Sequence, residues 1–144
     1  MRKVLIMIVF SITLMGFKTK SELLDIAEVL TEVESNNNTE AVGDSGKALG
    51  ILQIHQACVT DVNKWYGTEY THEDTKNRAI ARDIFVKYLS LGIKLYEEKC
   101  GHKPTESQIV RMWNGGIYRG HEYPSTLKYL NKYKKQKQLI LVDK

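Results

Sequence analysis

Two glutamates stand two residues apart in the segment TEVESNNNTEAVGDSGKALGILQIH, which runs from Thr31 to His55. On a helical wheel with ~100° per residue, Glu34 falls on the apolar face of the helix that precedes it. That face carries Leu23, Ile26, Ala27 and Leu30. Glu32 falls on the opposite side, beside Asp25, where we expect a solvated surface acid. The pattern therefore predicts one carboxylate, that of Glu34, aimed toward the core at the end of a helix.

A carboxyl in this position would hold its proton to a higher pH than usual. Burial disfavours the ionised form, and the negative end of the helix dipole disfavours it further, so both raise the pKa. A carboxyl that is protonated near neutral pH can act as a general acid toward a glycosidic oxygen. The alternative is a helix that ends at Ser35 and leaves Glu34 frayed into water, and the wheel alone leaves both open.

The segment that follows Glu34 favours a chemical role. ESNNN ends the helix with residues that form turns, and GDSGKALG supplies three glycines for a tight loop. GILQIH then places one polar amide, that of Gln53, in an apolar setting. A carboxyl at a helix end that faces an apolar loop with one amide suits the binding of an amide-bearing sugar.

The sequence predicts that the elements that must position these residues are mostly helices. Thr19 and Glu22 fit a capping box, and the helix that follows extends to about Glu34. A second helix is predicted over QACVTDVNKWY, with its end at Gly67. The only strand candidate is GILQI, a short apolar run with a turn-rich approach.

Three further helices are expected in the second half of the chain. Thr71 and Asp74 precede a long apolar pattern that Gly92 could interrupt. Another helix starts with a capping box at Thr105 and ends at NGG. The last helix is expected to begin at Pro124 and to carry the basic tail. The fold class is therefore mostly α.

The chain has the size and composition of one globular domain. Its 144 residues can bury a substantial core, and its hydrophobic content of 42% and charged content of 26% are ordinary. The start MRK and the apolar run VLIMIVFSITLMGF are typical of a secretory signal, since the run is too short for a comfortable membrane span of ~20 residues. We expect a signal peptide or an uncleaved membrane anchor at 1–20 and one exported domain at 21–144; a buried N-terminal helix is the alternative.

The cysteines and the basic tail leave alternatives open. Cys58 and Cys100 could form a disulfide after export, or remain free thiols. The net charge is +4, and residues 128–137 carry five lysines and no acid. This tail could attract anionic polymers or acidic membranes, or be a solvated helix face, while export argues against nucleic acid. The four histidines show no metal-ligand spacing, and we expect no metal and no cofactor.

Four motifs in order resemble those of the soluble lytic transglycosylases, which share the goose-type lysozyme fold. ESNNNTEAVGDSGKALGILQI resembles the glutamate–serine motif and the glycine–x–x–glutamine–isoleucine motif of that family. MWNGG resembles its aromatic–asparagine–x–glycine segment, and TLKYL resembles its threonine–x–x–tyrosine segment. The match covers roughly residues 23–133. The resemblance implies an α+β lysozyme-like domain with a catalytic cleft for the glycan strands of peptidoglycan.

By this resemblance, Glu34 is the general acid and base. It would cleave the bond between N-acetylmuramic acid and N-acetylglucosamine and leave a 1,6-anhydro product, with the substrate's acetamido group in place of a catalytic aspartate. The residues implied to bind the substrate are Ser35, Gly50, Gln53, Trp113, Asn114 and Tyr129. Each has a structural alternative, namely a helix-ending serine, a turn glycine, a buried amide, a core aromatic or a helix cap.

The chain also departs from the family pattern. NNNTE lacks the usual asparagine–proline step, and Trp113 replaces the more usual tyrosine. Asp44 in the glycine loop could activate water, which would make the protein a hydrolytic muramidase; Glu40 and Asp61 are weaker candidates for that role. His55 could line the cleft or lie on the surface. A catalytically silent wall-binding module is the hypothesis from a different class.

The biological process is not specified by such a domain. Wall remodelling, a secretion or conjugation apparatus and phage-borne wall penetration would all use it. We expect a periplasmic or other extracytoplasmic location, with peptidoglycan as the main partner. A membrane contact is expected only through the N-terminal segment.

Overall fold

The computed structural model of the chain describes residues 20–142. Its first helix, α1, spans Lys20–Ser35, and the apolar face expected from the sequence is buried there. Because Ile26 and Leu30 precede Glu34 at four-residue steps, this face leads directly to the carboxylate. The signal segment expected at the N-terminus, and the cap at Thr19, lie outside the described residues.

Most of the described chain is helical. The other helices are α2, Gln56–Tyr66; α3, Arg78–Cys100; α4, Glu106–Gly115; and α5, Thr126–Val142, with short 3-10 helices at Asp44–Gly46, Glu73–Lys76 and Gly120–Glu122. α3 contacts α1, α2 and α4, whereas α5 packs against α1 and α4. The mostly α fold class predicted from the sequence is therefore confirmed for residues 20–142.

A small antiparallel sheet follows α1. Its strands, in spatial order, are β1, Val42–Gly43; β2, Ala48–Leu49; and β3, Ile54–His55. The prediction of a strand over GILQI was wrong, because only Ile54 of that run lies in a strand. Gly50 and Gln53 have positive φ angles of 74° and 48°, so they form the turn between β2 and β3.

Two helix ends agree with the sequence prediction. α2 ends before Gly67, whose φ of 65° and N–H bond to the Asn63 carbonyl form a left-handed cap. α4 begins with the reciprocal bonds of Thr105 and Gln108, which make a complete capping box. Local side-chain chemistry therefore sets both of these boundaries.

Three other boundaries differ from the prediction. Asp74 accepts bonds from Thr71 and closes a turn, whereas the side chain of Asn77 caps α3. α3 continues through Gly92 without interruption. A Cβ atom at this position would lie 2.8 Å from the side chain of Ile117, so the packing of α3 against Ile117 requires glycine. α5 begins at Thr126, after Pro124.

The core lies between α3 and the elements around it. Leu30 of α1, Phe85 of α3 and Met112 of α4 are fully buried. Ile51 and Leu52, in the turn between β2 and β3, are also fully buried. The loop that follows Glu34 is therefore anchored by its own apolar side chains.

Gly50 is the residue at which this loop approaches the neighbouring 3-10 helix. A Cβ atom added to Gly50 would lie 2.3 Å from the carbonyl oxygen of Thr75. The φ of Gly50 is also positive, at 74°. Both the close approach and the backbone conformation therefore require glycine.

Substitution of Gly50 tests this packing. We expect Gly50→Ala to lower the free energy of unfolding by about 2–4 kcal/mol, because left-handed strain and a backbone clash add together. The matched control is Gly46→Ala, since Gly46 has a φ of 91° but no atom within 4 Å of an added Cβ. Chemical denaturation should show that the control loses only about 1 kcal/mol of its free energy of unfolding. Equal losses in the two variants would contradict the close approach.

Candidate functional site

The carboxyl group of Glu34 is the meeting point of three helices. Tyr129 of α5 donates its hydroxyl to Oε1 of Glu34 at 2.5 Å. Trp113 of α4 donates its indole N–H to the same oxygen at 3.2 Å. Within residues 20–142, no donor reaches Oε2. One carboxyl oxygen is therefore held by the protein, and the other is free to carry a proton.

Burial raises the pKa of the Glu34 carboxyl above its ordinary value. The hydrogen bonds from Tyr129 and Trp113, and the positive charge of Lys132, act in the opposite direction but do not cancel the effect of burial. The phenol of Tyr129 is itself buried beside the carboxylate, so its own pKa is raised and it remains a donor. This arrangement favours a carboxyl that keeps its proton to a higher pH than an exposed glutamate does, and that has donors in place for the anion.

Trp113 is fixed by the aromatic side chains of α3. Its ring lies 4.6 Å from that of Phe85 and 6.1 Å from that of Tyr88, measured between centroids. These tilted contacts orient the indole N–H toward Glu34. The structure thus places Trp113 at the edge of the core and in the wall of the site.

Glu34 lies in a cleft of about 410 Å³. The cleft brings together four of the residues expected from the sequence, Glu34, Gln53, Trp113 and Asn114, with the loop acid Asp44. The other residues that line it are Ala48, Ile54, His55, Ala57, Cys58, Tyr88 and Gly116. Its volume is in the range of ligand-binding clefts. Glu32, Glu40 and Asp61 do not line it.

Gln53 lines the cleft and also holds the loop. Its side-chain N–H groups donate to the carbonyls of Gly50, at 2.9 Å, and Ala41, at 3.3 Å. Its side-chain oxygen lies close enough to Gly43 that an added Cβ there would be 2.1 Å away. The side-chain amide of Gln53 therefore holds the turn, and Gln53 also forms part of the cleft wall.

Ser35 and Gly50 lie outside the cleft lining. The Ser35 hydroxyl donates to the carbonyl of Ile51 at 2.9 Å and accepts the Asn38 N–H at 3.1 Å. It thereby ties the end of α1 to the loop. Gly50 packs on the backbone of Thr75, so its close approach is made to the protein itself.

Asn114 is an exposed polar side chain in the lining of the cleft. It lies in the last turn of α4, one residue after Trp113. Within the described residues, its side chain makes no hydrogen bond, so its amide is available to a ligand. The end of α4 is held by close packing, because a Cβ on Gly115 would lie 2.7 Å from Gly120.

The sequence did not indicate two features of the cleft. Nε2 of His55 lies 3.6 Å from a carboxylate oxygen of Asp44, and both side chains are exposed. The sheet creates this pair, and strands of two residues leave almost no periodic signal. Tyr88 lies in the apolar pattern of α3, which gave no sign of a role in a site; it lines the cleft, and burial raises its pKa to about 12.

The cysteines do not form the disulfide that the sequence left open. Cys58 is buried on α2 at the cleft wall, whereas Cys100 is exposed at the end of α3. Both are free thiols. Burial raises the pKa of Cys58, so its thiol is not activated as a nucleophile.

No group of three or more His, Cys, Asp or Glu side chains between residues 20 and 142 could hold a metal ion. In the same part of the chain, none of the helices is both long and apolar enough to cross a membrane.

Comparison of the chain with protein-family profiles, with curated proteins and with solved structures found no match.

The raised pKa of Glu34 predicts a pH-dependent stability. Below its ordinary value of 4.5, the carboxyl is protonated in both the folded and unfolded chains. As the pH rises toward the folded-state pKa, the unfolded chain loses the proton first, so the wild type loses stability across that window. Glu34→Gln lacks this loss. Denaturation at several pH values should show the variant gaining stability relative to the wild type above pH 4.5. A difference in the free energy of unfolding that stays constant with pH would contradict the raised pKa.

Removal of the Tyr129 hydroxyl tests the hydrogen bond to Glu34. We expect Tyr129→Phe to raise the pKa of Glu34 further, because the lost bond stabilises the carboxylate. Carboxyl ¹³C NMR during a pH titration would measure the midpoint. The control is Tyr123→Phe, which changes an exposed tyrosine and should leave the midpoint of the Glu34 titration unchanged. A lower midpoint in Tyr129→Phe would show that the hydroxyl instead favours the protonated acid.

Proposed function

We propose that the protein cleaves peptidoglycan glycan strands as a lytic transglycosylase, with Glu34 as the general acid and then the general base. The observation that carries this proposal is the Glu34 carboxyl itself. It is buried at a cleft wall, its pKa is raised, and two donors hold one oxygen while the other is free. The motif resemblance supplies the substrate, the β-1,4 bond between N-acetylmuramic acid and N-acetylglucosamine.

In the first step, protonated Glu34 transfers its proton from Oε2 to the glycosidic oxygen. The bond from that oxygen to C1 of the muramyl residue breaks, and the N-acetylglucosamine side leaves as an alcohol. The positive charge at C1 is stabilised by the substrate's acetamido group. The new Glu34 carboxylate is stabilised by Tyr129 and Trp113, whose donors are already in place.

In the second step, the Glu34 carboxylate takes the proton of the muramyl 6-hydroxyl. The 6-oxygen bonds to C1, which closes the 1,6-anhydro ring and leaves Glu34 protonated for the next cycle. No water is consumed. A single group that acts as acid and then as base works best when its pKa lies near the working pH, and burial shifts the pKa of Glu34 upward in that direction.

The remaining cleft residues suit an amide-bearing sugar. Asn114 presents an exposed amide, which corresponds by resemblance to the group that contacts the acetamido substituent. Gln53 and the aromatic Tyr88 face the same cleft. A helix that ends in the acid, followed by a small antiparallel sheet, is compatible with a lysozyme-like fold, which we include in the proposal. Peptidoglycan as substrate also agrees with the export expected from the N-terminal sequence.

Hydrolysis is the second candidate, and the position of Asp44 favours it. Asp44 lies in the same cleft as Glu34 and next to His55. A second carboxylate across a cleft can activate water for attack at C1. The product would then be a reducing muramyl end, and the protein would be a muramidase.

Mass spectrometry of fragments released from purified peptidoglycan tests the proposal. The wild type should release fragments with 1,6-anhydro-muramyl ends. Glu34→Gln should lower the rate by about 10²–10⁴-fold, because it removes the proton donor and preserves the shape. Glu32→Gln is the matched control, since Glu32 lies on the same helix outside the cleft, and it should retain the wild-type rate.

The other outcomes assign the protein differently. Reducing muramyl ends that disappear in Asp44→Asn would establish hydrolysis. A folded wild type that binds peptidoglycan but releases no fragments would favour a silent wall-binding module. Equal rates for wild type and Glu34→Gln would remove Glu34 from the mechanism altogether.

A further inference from the structure

The outward face of α5 carries a row of lysines that ends in apolar side chains. Lys128, Lys132 and Lys135 follow one another at four- and three-residue steps, and Leu139 and Val142 continue the same row. All five side chains are exposed. Leu139 is 50% accessible and Val142 is 83% accessible, so two aliphatic side chains lie exposed at the end of the row. We call these five residues the α5 strip.

The lysines of the α5 strip, Lys128, Lys132 and Lys135, have no ion-pair partner among the described residues, although the charge of Lys132 acts on Glu34 at longer range. Lys137, on the inner side of α5, is by contrast bonded to Glu106. The three lysines of the strip are therefore available to an external anion.

The apolar end of the strip lies beside the start of α1. α1 and α5 pack antiparallel, because Glu34 is bonded to Tyr129 at one end of the pair, while Glu22 and Leu141 line a common groove at the other. In the sequence, the apolar run at 4–17 directly precedes α1. The apolar end of α5 and the point at which that run joins the fold are therefore on the same side of the molecule.

We propose that the α5 strip binds the surface of an anionic phospholipid bilayer. The lysines would contact the headgroups, and Leu139 and Val142 would enter the boundary with the acyl chains. A row of cations with apolar residues at one end matches an interface that is charged outside and apolar inside. A soluble polyanion would attract the lysines but would gain nothing from the apolar pair. This proposal does not depend on the enzymatic function.

Binding through the strip would leave the cleft accessible. Tyr129, which bonds to Glu34, follows Lys128 by one residue and projects from α5 about 100° away from it. None of the five strip residues lines the cleft, although Lys132 lies about 60° from Tyr129 on the helix and its charge acts on Glu34. The protein could act on a polymer beside the bilayer while α5 lies against the lipid.

Sedimentation with vesicles tests the strip in the full chain. The vesicles contain phosphatidylglycerol and phosphatidylcholine, with pure phosphatidylcholine as the neutral comparison. Replacement of Lys128, Lys132 and Lys135 by Gln together should lower the partition coefficient for anionic vesicles at least about tenfold, since each lysine near such a surface contributes roughly fivefold. Leu139→Ser with Val142→Ser should lower it severalfold at the same salt concentration.

A second lysine triple provides the matched control. Replacement of Lys47, Lys64 and Lys94 by Gln removes the same charge from other exposed positions. We expect it to change the partition coefficient by no more than about twofold, because those lysines do not form part of a strip. Equal losses for the two triples would overturn the proposal, since net charge alone would then explain the binding.

A local probe separates the strip from the apolar run at 4–17, which is present in every variant. An environment-sensitive dye attached at Leu139→Cys, in a Cys100→Ser background, should shift its emission to the blue on anionic vesicles. Cys58 is buried and therefore protected from labelling. The same dye at Lys94→Cys should not shift. No shift at position 139 would overturn the proposal. The proposal would also be overturned if the variant of the three strip lysines lost binding while the variant of Leu139 and Val142 kept it. A soluble polyanion would then be the partner.

Discussion

The two hydrogen bonds to Oε1 of Glu34 join the end of α1, the end of α4 and the start of α5 at one atom. A carboxyl that is buried without such donors would be strongly disfavoured, because it would lose its water and gain nothing in return. With both donors present, burial still keeps the pKa of Glu34 raised. When the Glu34 carboxylate forms, it already has two hydrogen-bond partners. The packing of Trp113 on Phe85 orients one of the two donors, so in the proposed reaction it would serve the chemistry as well as the stability of the fold.

The loop that follows α1 supports this carboxyl from the other side. Ser35 bonds to the Ile51 carbonyl, and Gln53 bonds to the Gly50 and Ala41 carbonyls, so two residues expected at the substrate serve the loop itself. Buried Ile51 and Leu52 hold the same turn in the core. A loop fixed in this way lowers the entropy that would otherwise be lost when a ligand orders it. Its rigidity also fixes Asp44 and His55 at the cleft wall.

α5 combines two roles on separate faces. Its inner face supplies Tyr129 to the site and buries Leu130 and Tyr133 in the core. Its outer face is free of packing constraints, which is why lysines can occupy it without cost to the fold. Leu139 and Val142 are exposed on that outer face, where the proposed contact with a lipid surface would bury them.

Local chemistry in the sequence determined the helices and the identity of the acid. The spacing of Ile26, Leu30 and Glu34 placed the carboxylate on the buried face of α1, and the Gly67 and Thr105 signals placed helix ends correctly, because periodicity and caps act over a few residues. Only the tertiary structure decided which donors reach Glu34, since Tyr129 is 95 residues away in sequence. It also decided that GILQI forms a turn and that Asp44 meets His55. Those features depend on left-handed backbone angles and two-residue strands, which the packing of distant segments selects and which local propensity does not encode.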